Sequence, residues 1–196
     1  WDKNLIRLKK FSKKNKIKVN KNFSKNFTKN DIIILAINAG KNVDNFFIEN
    51  IKSLKKTKFL IDIGNNHPDD TIRRFYFLKK YKIKYINPGF SGGVEGARGN
   101  ASLMLSCKKS ELKNLNFIFS EISRKNKKLL KLVGKKPHAG NYVKIIHNSI
   151  EYSILQSIAD YYFILKKFKK YSDKKILSYI KYIERKVNNF YLLNIF

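Results

Sequence analysis

The sequence predicts an α/β domain that passes into the opening of an all-α domain. Ile32–Ile37 (IIILAI) and Phe59–Ile63 are short continuous apolar runs between polar residues, the pattern of strands buried on both faces. Helical patterns alternate with these runs, and that alternation calls for a sheet with crossover helices. From about Pro137 a helical pattern then continues to about Phe168 and is followed by another from about Ser172.

Residues 7–30 are rich in Lys and Asn and are expected to hold a helix and a short strand around Ile17–Val19. Ile32–Ile37 is the first buried strand. Val43–Leu54 reads as a helix with Val43, Phe46, Phe47, Ile51 and Leu54 on one side. Phe59–Ile63 is the second strand, ending at Gly64-Asn65-Asn66. Asp70–Tyr81 is expected to be helical, and Ile83–Ile86 to be a third strand that ends near Pro88-Gly89. Beyond Ser91-Gly92-Gly93, Ser102–Leu105, Phe117–Arg124 and Leu129–Val133 read as strand, helix and strand. The expected division is 1–136 for the α/β domain and 137–196 for the helical one. No G-x-G-x-x-G turn, the glycine pattern that opens a dinucleotide-binding sheet, precedes Ile32. The helical region stops after two helices. The sequence is therefore expected to lack the first βα unit of the α/β domain and most of the helical domain.

Composition narrows the class. The chain has 196 residues, 43% of them hydrophobic, enough for a real core. No apolar run reaches the roughly 18 residues of a membrane helix, so no membrane partner is expected. Cys107 is the only cysteine, which excludes an intrachain disulfide and suits a reducing cytoplasm. The formal charge is +29. Such a charge attracts phosphate backbones. However, lysine carries most of the 43 basic residues and is spread along the whole chain. Lys, Asn and Ile share A/T-rich codons, so the charge reads as base-composition bias and no specific nucleic-acid function is expected. No metal-ligand cluster stands out, and no metal is expected.

The chemistry-bearing residues concentrate in Lys144–Tyr152 (KIIHNSIEY). Lys144, His147, Asn148 and Glu151 fall at i, i+3, i+4 and i+7, which is one helical face. A face with a possible base and a possible acid reads as a reaction site, or alternatively as an exposed salt-bridged helix. Gly64-Asn65-Asn66 directly follows a buried strand, at the end where open α/β sheets bind ligands, although Gly-Asn is also an ordinary turn pair. Ser91-Gly92-Gly93 offers close backbone approach and a hydroxyl, or a plain loop.

Three segments occur in order: IDIGNNHPDDTIRR (61–74), FSGGVEGARGNASLM (90–104) and HAGNYVKIIHNSIEYSILQSIADYY (138–162). Together with IIILAINAGKNVDNFF (32–47), they resemble the decarboxylating 6-phosphogluconate dehydrogenase family. The resemblance covers about residues 32–165 well, and the VKxxHNxIEY core is its most specific part. Related β-hydroxyacid dehydrogenases share a Ser-Gly-Gly loop and a lysine, but lack the His-Asn and Ile-Glu-Tyr that follow.

The resemblance implies a Rossmann-like NAD(P)-binding domain and oxidative decarboxylation of 6-phosphogluconate to ribulose 5-phosphate and CO2. It implies Lys144 as general base and Glu151 as general acid. Substrate contacts would come from Asn65, Ser91, Gly92, Gly93, His147, Asn148 and Tyr152, the last on the phosphate. Cofactor contacts would come from Asp2, Lys3, Asn4, Ile37, Asn38, Ala39 and Asn65. NADP is the expected cofactor by family weight. Asp2 would favour NAD through a ribose hydroxyl, whereas Lys3 would favour NADP. The complete protein is expected to be a homodimer. The chain departs from the family pattern near the cofactor, where Asn38 replaces the lysine usual in the NADP-linked branch and Trp1-Asp2-Lys3-Asn4 aligns with an Asn-Arg-Thr that holds the 2′-phosphate, and in three other places. Ile63-Gly64-Asn65-Asn66 stands for Gly-Gly-Asn-Ser, Gly140-Asn141 stands for Gly-His, and Leu105-Ser106-Cys107 stands for Pro-Gly-Gly. The other readings are a non-catalytic basic binding protein and a β-hydroxyacid dehydrogenase with another substrate.

Overall fold

The computed structural model describes residues 1–20, 23, 27–124 and 128–186, with Glu95 described for its backbone alone. Two compact units divide it, Trp1–Val143 and the residues from Lys144 onward.

In the first unit, β1 (Ile32–Leu35), β2 (Phe59–Asp62) and β3 (Tyr85–Ile86) form a parallel sheet in the order β1-β2-β3. Ile32 pairs with Phe59, and Leu60 with Tyr85. Two helices make the crossovers, α2 (Lys41–Leu54) and α3 (Pro68–Lys80). β2 is buried along its whole length, as its apolar run requires. β1 lies at the sheet edge, so Ile33 and Leu35 are buried while Ile34 stays 45% exposed.

α2 buries Val43, Phe46, Phe47 and Leu54, the expected face, against Leu60, Leu78 and Tyr85. Each such side chain contributes roughly 1.5–3 kcal/mol on burial. α3 begins earlier than the apolar pattern indicates, because Pro68 occupies its first turn and His67 Nδ1 accepts from Asp69 N at 3.3 Å. Asp69 and Asp70 in the first turn, and Lys79 and Lys80 in the last, complement the helix dipole.

The expected strand at Ile17–Val19 does not form. α1 (Leu5–Asn15) ends at Lys16 in a left-handed conformation (φ 52°), and residues 17–20 have no regular structure. Ser12 Oγ donates to Ile17 O at 2.7 Å, so a local loop takes the place of strand pairing. Trp1 packs against Phe23 and Phe46, with ring centroids 5.7 and 6.1 Å away.

A second sheet contains β4 (Gly89–Ser91), β5 (Ser102–Ser106) and β6 (Leu130–Gly134). β4 runs antiparallel to β5, and β6 parallel to it, so the strands are not all parallel. Sequence patterning missed β4 and the short helix α4 (Gly93–Ala97). Three residues, one of them glycine, are too few to show alternation. α5 (Lys109–Ile122) starts well before the expected Phe117, because its first turns are polar and only Leu115 and Phe119 are fully buried. Lys108 N donates to Glu111 Oε2 at 2.8 Å and fixes that start. The first residues of α6 (Ala139–Lys167) belong to this unit.

In the second unit, α6 and α7 (Asp173–Lys186) meet through Leu165, Ile176 and Ile180, with Tyr162 and Tyr171 alongside. Lys166 Nζ and Tyr162 Oη both donate to Asp173 Oδ1, at 2.6 and 2.8 Å. Ile146, Ile150 and Phe163 of α6 are more than half exposed. Among the described residues no helix is long and apolar enough to cross a membrane.

Candidate functional site

The turns at the carboxyl ends of β1 and β2 approach each other closely. Ile63 N donates to Leu35 O at 2.9 Å, and a Cβ built on Gly64 would lie 3.1 Å from Ile37 O. Only glycine fits there without displacing backbone. In Gly64-Asn65-Asn66 the two asparagines divide: Asn65 is exposed, whereas Asn66 is buried. Asn38 and Ala39 are also exposed, and Ile37 is half-buried. Asp2 Oδ1 accepts from Asn4 N at 2.8 Å, and Asn4 caps α1 by accepting from Arg7 N at 3.0 Å. Lys3 is exposed.

Behind these turns lies a buried polar network. Asp62 is fully buried and accepts from Gly64 N (2.9 Å), Asn66 Nδ2 (2.9 Å) and Tyr85 Oη (3.0 Å). Burial raises its carboxyl above the ordinary value, against the pull of those donors. Burial, and then the Asp62 charge, push the Tyr85 phenol well above its own. Asn87 Nδ2 donates to Asp62 O, and its Oδ1 accepts from Thr71 Oγ1 and Asn141 Nδ2, both at 2.8 Å, and from Asn66 Nδ2 at 3.2 Å. Arg74, 1% exposed, donates through Nη1 to Asn66 Oδ1 (2.6 Å), Nη2 to Gly40 O (2.9 Å) and Nε to Asp44 Oδ1 (2.7 Å). Burial alone would raise the Asp44 carboxyl, but hydrogen bonds from Arg74 and Arg73 outweigh it and bring it down to about 2.

Sequence reasoning did not single out Arg74, Asp44, Asn87 or Thr71. The signal that marks Arg74 is the tandem Arg73-Arg74 in a chain whose basic residues are otherwise nearly all lysine. A planar fork with fixed donors is not replaceable by an ammonium.

Ser91 is buried at the end of β4, whereas Gly92 and Gly93 are exposed. The segment is thus a strand end turning into a helix rather than a loop. Gly92 has φ +125°, and a Cβ there would lie 2.8 Å from Gly96 Cα.

The departures at Asn66, Ser106 and Asn141 fall in one region of this unit. Gly140 N donates to Ser106 Oγ at 2.9 Å, which satisfies an amide at the start of α6. Asn141 and Asn66 both donate to Asn87 Oδ1. Ser106, Asn141 and Asn66 therefore each have a hydrogen-bonding role of their own in this chain.

On α6, Lys144 is buried and Tyr152 is 65% exposed. His147 Nδ1 lies 3.5 Å from Glu151 Oε2 and 3.3 Å from Asn148 Oδ1. Burial lowers the Lys144 amine below the ordinary lysine value, and the Glu151 charge opposes that shift. The four residues share one face of a continuous helix, as their spacing predicts.

Parallel strands joined by crossover helices, with polar turns at their carboxyl ends, are the architecture of open α/β sheets that bind ligands at those ends, dinucleotides among them. Residues 1–134 match the NAD binding domain of 6-phosphogluconate dehydrogenase, and residues 140–196 match its C-terminal domain. The chain belongs to the 6-phosphogluconate dehydrogenase family.

Among curated relatives, the decarboxylating 6-phosphogluconate dehydrogenase 1 of Saccharomyces cerevisiae is 38% identical over 146 residues, 74% of this chain and 30% of that protein. The Buchnera aphidicola enzyme is 35% identical over 177 residues, 89% of this chain and 38% of that protein. The chain thus spans about a third of the length of these relatives. Among solved structures, Plasmodium falciparum 6-phosphogluconate dehydrogenase superposes with TM-score 0.66 at 32% identity, over 84% of this chain and 35% of that one. A Mycobacterium tuberculosis 3-hydroxyisobutyrate dehydrogenase, 17% identical with TM-score 0.64, covers 78% of this chain and 50% of its own, and shares the fold.

Proposed function

We propose that this chain carries part of the machinery for oxidative decarboxylation of 6-phosphogluconate to ribulose 5-phosphate and CO2, with NADP as cofactor. The observation that carries the reading is the buried Lys144 on one helix face with Glu151. A lysine acts as a base only when its amine is neutral, and burial moves it in that direction.

The residues at the strand ends fit a dinucleotide. The Asn65 carboxamide is exposed, and a Cβ on Gly64 would press on Ile37 O at 3.1 Å. Asn65 would hold the nicotinamide end, with Ile37, Asn38 and Ala39 beside it and Asp2, Lys3 and Asn4 toward the ribose. NADP is favoured over NAD by the weight of the family, with Lys3 offering a cation to a 2′-phosphate and Asp2 a carboxylate to a ribose hydroxyl. NADP, when bound, accepts the hydride.

Lys144 takes the proton of the substrate's C3 hydroxyl as hydride leaves C3. The β-keto acid so formed loses its carboxylate as CO2 while Lys144 returns its proton to the C3 oxygen, which leaves an enediol. Glu151 then protonates the carbon that carried the departed carboxylate. His147 and Asn148, one turn from Lys144, bind the sugar acid with Asn65, Ser91, Gly92 and Gly93, and Tyr152 binds the phosphate. Residues 1–136 form the nucleotide-binding part and 137–196 open the helical domain. For the whole protein we infer a cytoplasmic homodimer. Exposed apolar residues such as Ile146, Ile150 and Phe163 are of the kind that association covers.

The test is NADPH formation from 6-phosphogluconate by the purified chain and by the full-length protein encoded at its locus. Lys144→Met is expected to abolish oxidation, and Glu151→Gln to slow mainly the later protonation. Near-normal turnover in full-length Lys144→Met would overturn the assignment.

A further inference from the structure

We propose that Asn87 and Arg74 are positioning residues that lock the turn after β1 and the turn after β2 into one register. The proposal rests on the reading of those turns as dinucleotide contacts. The hydrogen bonds form a continuous path. Asn87 Oδ1 accepts from Asn66 Nδ2 (3.2 Å), Asn66 Oδ1 accepts from Arg74 Nη1 (2.6 Å), and Arg74 Nη2 donates to Gly40 O (2.9 Å). Asn87 Nδ2 also donates to Gly64 O at 3.2 Å, so it grips the β2 turn at two points. Gly40 directly follows Ile37-Asn38-Ala39, and Asn65 lies between Gly64 and Asn66. Of the exposed candidate contacts, Ala39 and Asn65 each adjoin a residue of the network, and Asn38 lies one residue further along.

The components are buried and mutually satisfied, so the path has little freedom to shift piecemeal. Asn66, Arg74 and Asn87 are at most 4% exposed. The guanidinium fork is the only group in the path that reaches both turns. A lysine there would keep the charge and lose the geometry. Asn87 touches the β2 turn and Asn141 but has no hydrogen bond to Gly40 or Asp44. By side-chain hydrogen bonds, a change at Asn87 reaches Gly40 through Asn66 and Arg74.

That indirect reach supplies the test. Amide hydrogen exchange is measured by NMR on the full chain for wild type, Asn87→Ala, Arg74→Lys and the double variant. NADP affinity is measured alongside by calorimetry. The reporters are Asn66 N, which donates to Gly64 O, and Val43 N, which donates to Gly40 O. Asn87→Ala is expected to speed exchange about tenfold at Val43 as well as at Asn66, with Leu60 in mid-sheet unchanged. Arg74→Lys should do the same at Val43, and the double variant should add little. NADP binding should weaken about tenfold in both single variants.

Loosening confined to Asn66, or uniform acceleration that includes Leu60, overturns the proposal. The second outcome would be plain loss of stability. If Asn87→Ala fails to fold, Asn66→Ala breaks the same path from its middle and is held to the same criteria. A wild-type chain that binds no NADP would overturn the cofactor reading, while the Val43 amide still decides the positioning.

Discussion

Arg74 Nε stands 2.7 Å from Asp44 Oδ1, and this pair ties the middle of α3 to the first turn of α2. Arg73 reaches the same carboxylate through Nη2 at 2.9 Å, so one carboxylate is held by two guanidinium groups. The Asp44 side chain is 22% exposed while Arg74 is almost wholly covered. The pair therefore lies between a surface ion pair and a buried one.

This pair gives the fold an acid limit. The Asp44 carboxyl falls from 3.8 to about 2 in the folded chain. A depressed carboxyl contributes stability that is complete above its unfolded value and is lost as pH falls through the folded one. The contribution is on the order of 2 kcal/mol, lost between about pH 5 and pH 2. Urea unfolding across that range should show the loss, and Asp44→Asn should flatten it.

Removing Arg74 should cost more than removing a surface cation. Arg74→Met leaves Asp44 without its best partner and Asn66 Oδ1 without a donor. A loss of about 3–5 kcal/mol in unfolding free energy is expected. The exposed Arg7, 3.9 Å from Asp2, should cost less than about 1 kcal/mol on the same substitution.

Two glycines should respond differently to alanine. A Cβ on Gly140 would lie 2.2 Å from Met104 O and 2.9 Å from Gly89 N, both backbone atoms. Gly140→Ala must displace α6 from β5 and should lose about 3 kcal/mol or more. Gly40 has φ +98° and open space around its Cβ position, so Gly40→Ala meets conformational strain alone, about 1–3 kcal/mol. Chemical denaturation of both variants checks the order.

The Lys144 amine should respond to Glu151. Burial lowers it and the Glu151 charge holds it up. Glu151→Gln should therefore drop the amine further, and the rate of acylation of Lys144 at neutral pH should rise. An unchanged titration of Lys144, followed by NMR after isotopic methylation, would contradict the coupling.

Cys107 should be slow toward thiol reagents in the folded chain. It is 4% exposed, and burial followed by the nearby Glu111 charge pushes its thiol up to about 11. Little thiolate exists at neutral pH, so reaction with a disulfide reagent should need unfolding.

The parallel half of the first unit was legible because its strands are continuous apolar runs and its helices carry clean faces. The α2 face, Val43, Phe46, Phe47 and Leu54, follows from spacing alone. β4 was not legible, since pairing with β5 rather than any pattern of its own makes it a strand. The strand expected at Ile17–Val19 failed for the converse reason: apolar residues are present but no partner strand pairs with them.

At the site, the Lys144, His147, Asn148 and Glu151 face follows from helical spacing. The buried polar network of the first unit does not, because Asp44, Arg74, Asn87 and Asn141 are far apart in the chain and meet only through tertiary packing. Of the two adjacent asparagines, the resemblance picked out Asn65, which is exposed, but no pattern in the sequence marked Asn66 as a buried partner of Arg74 and Asn87.

Trp1 is the single tryptophan, half-exposed and edge-on to Phe23. Its indole adjoins Asp2 and Lys3 in the chain and leans on Phe46 of α2. The protein therefore carries a built-in optical reporter: a shift in ultraviolet emission on adding a dinucleotide would register events at the first unit with no label attached, whatever happens on the helical side.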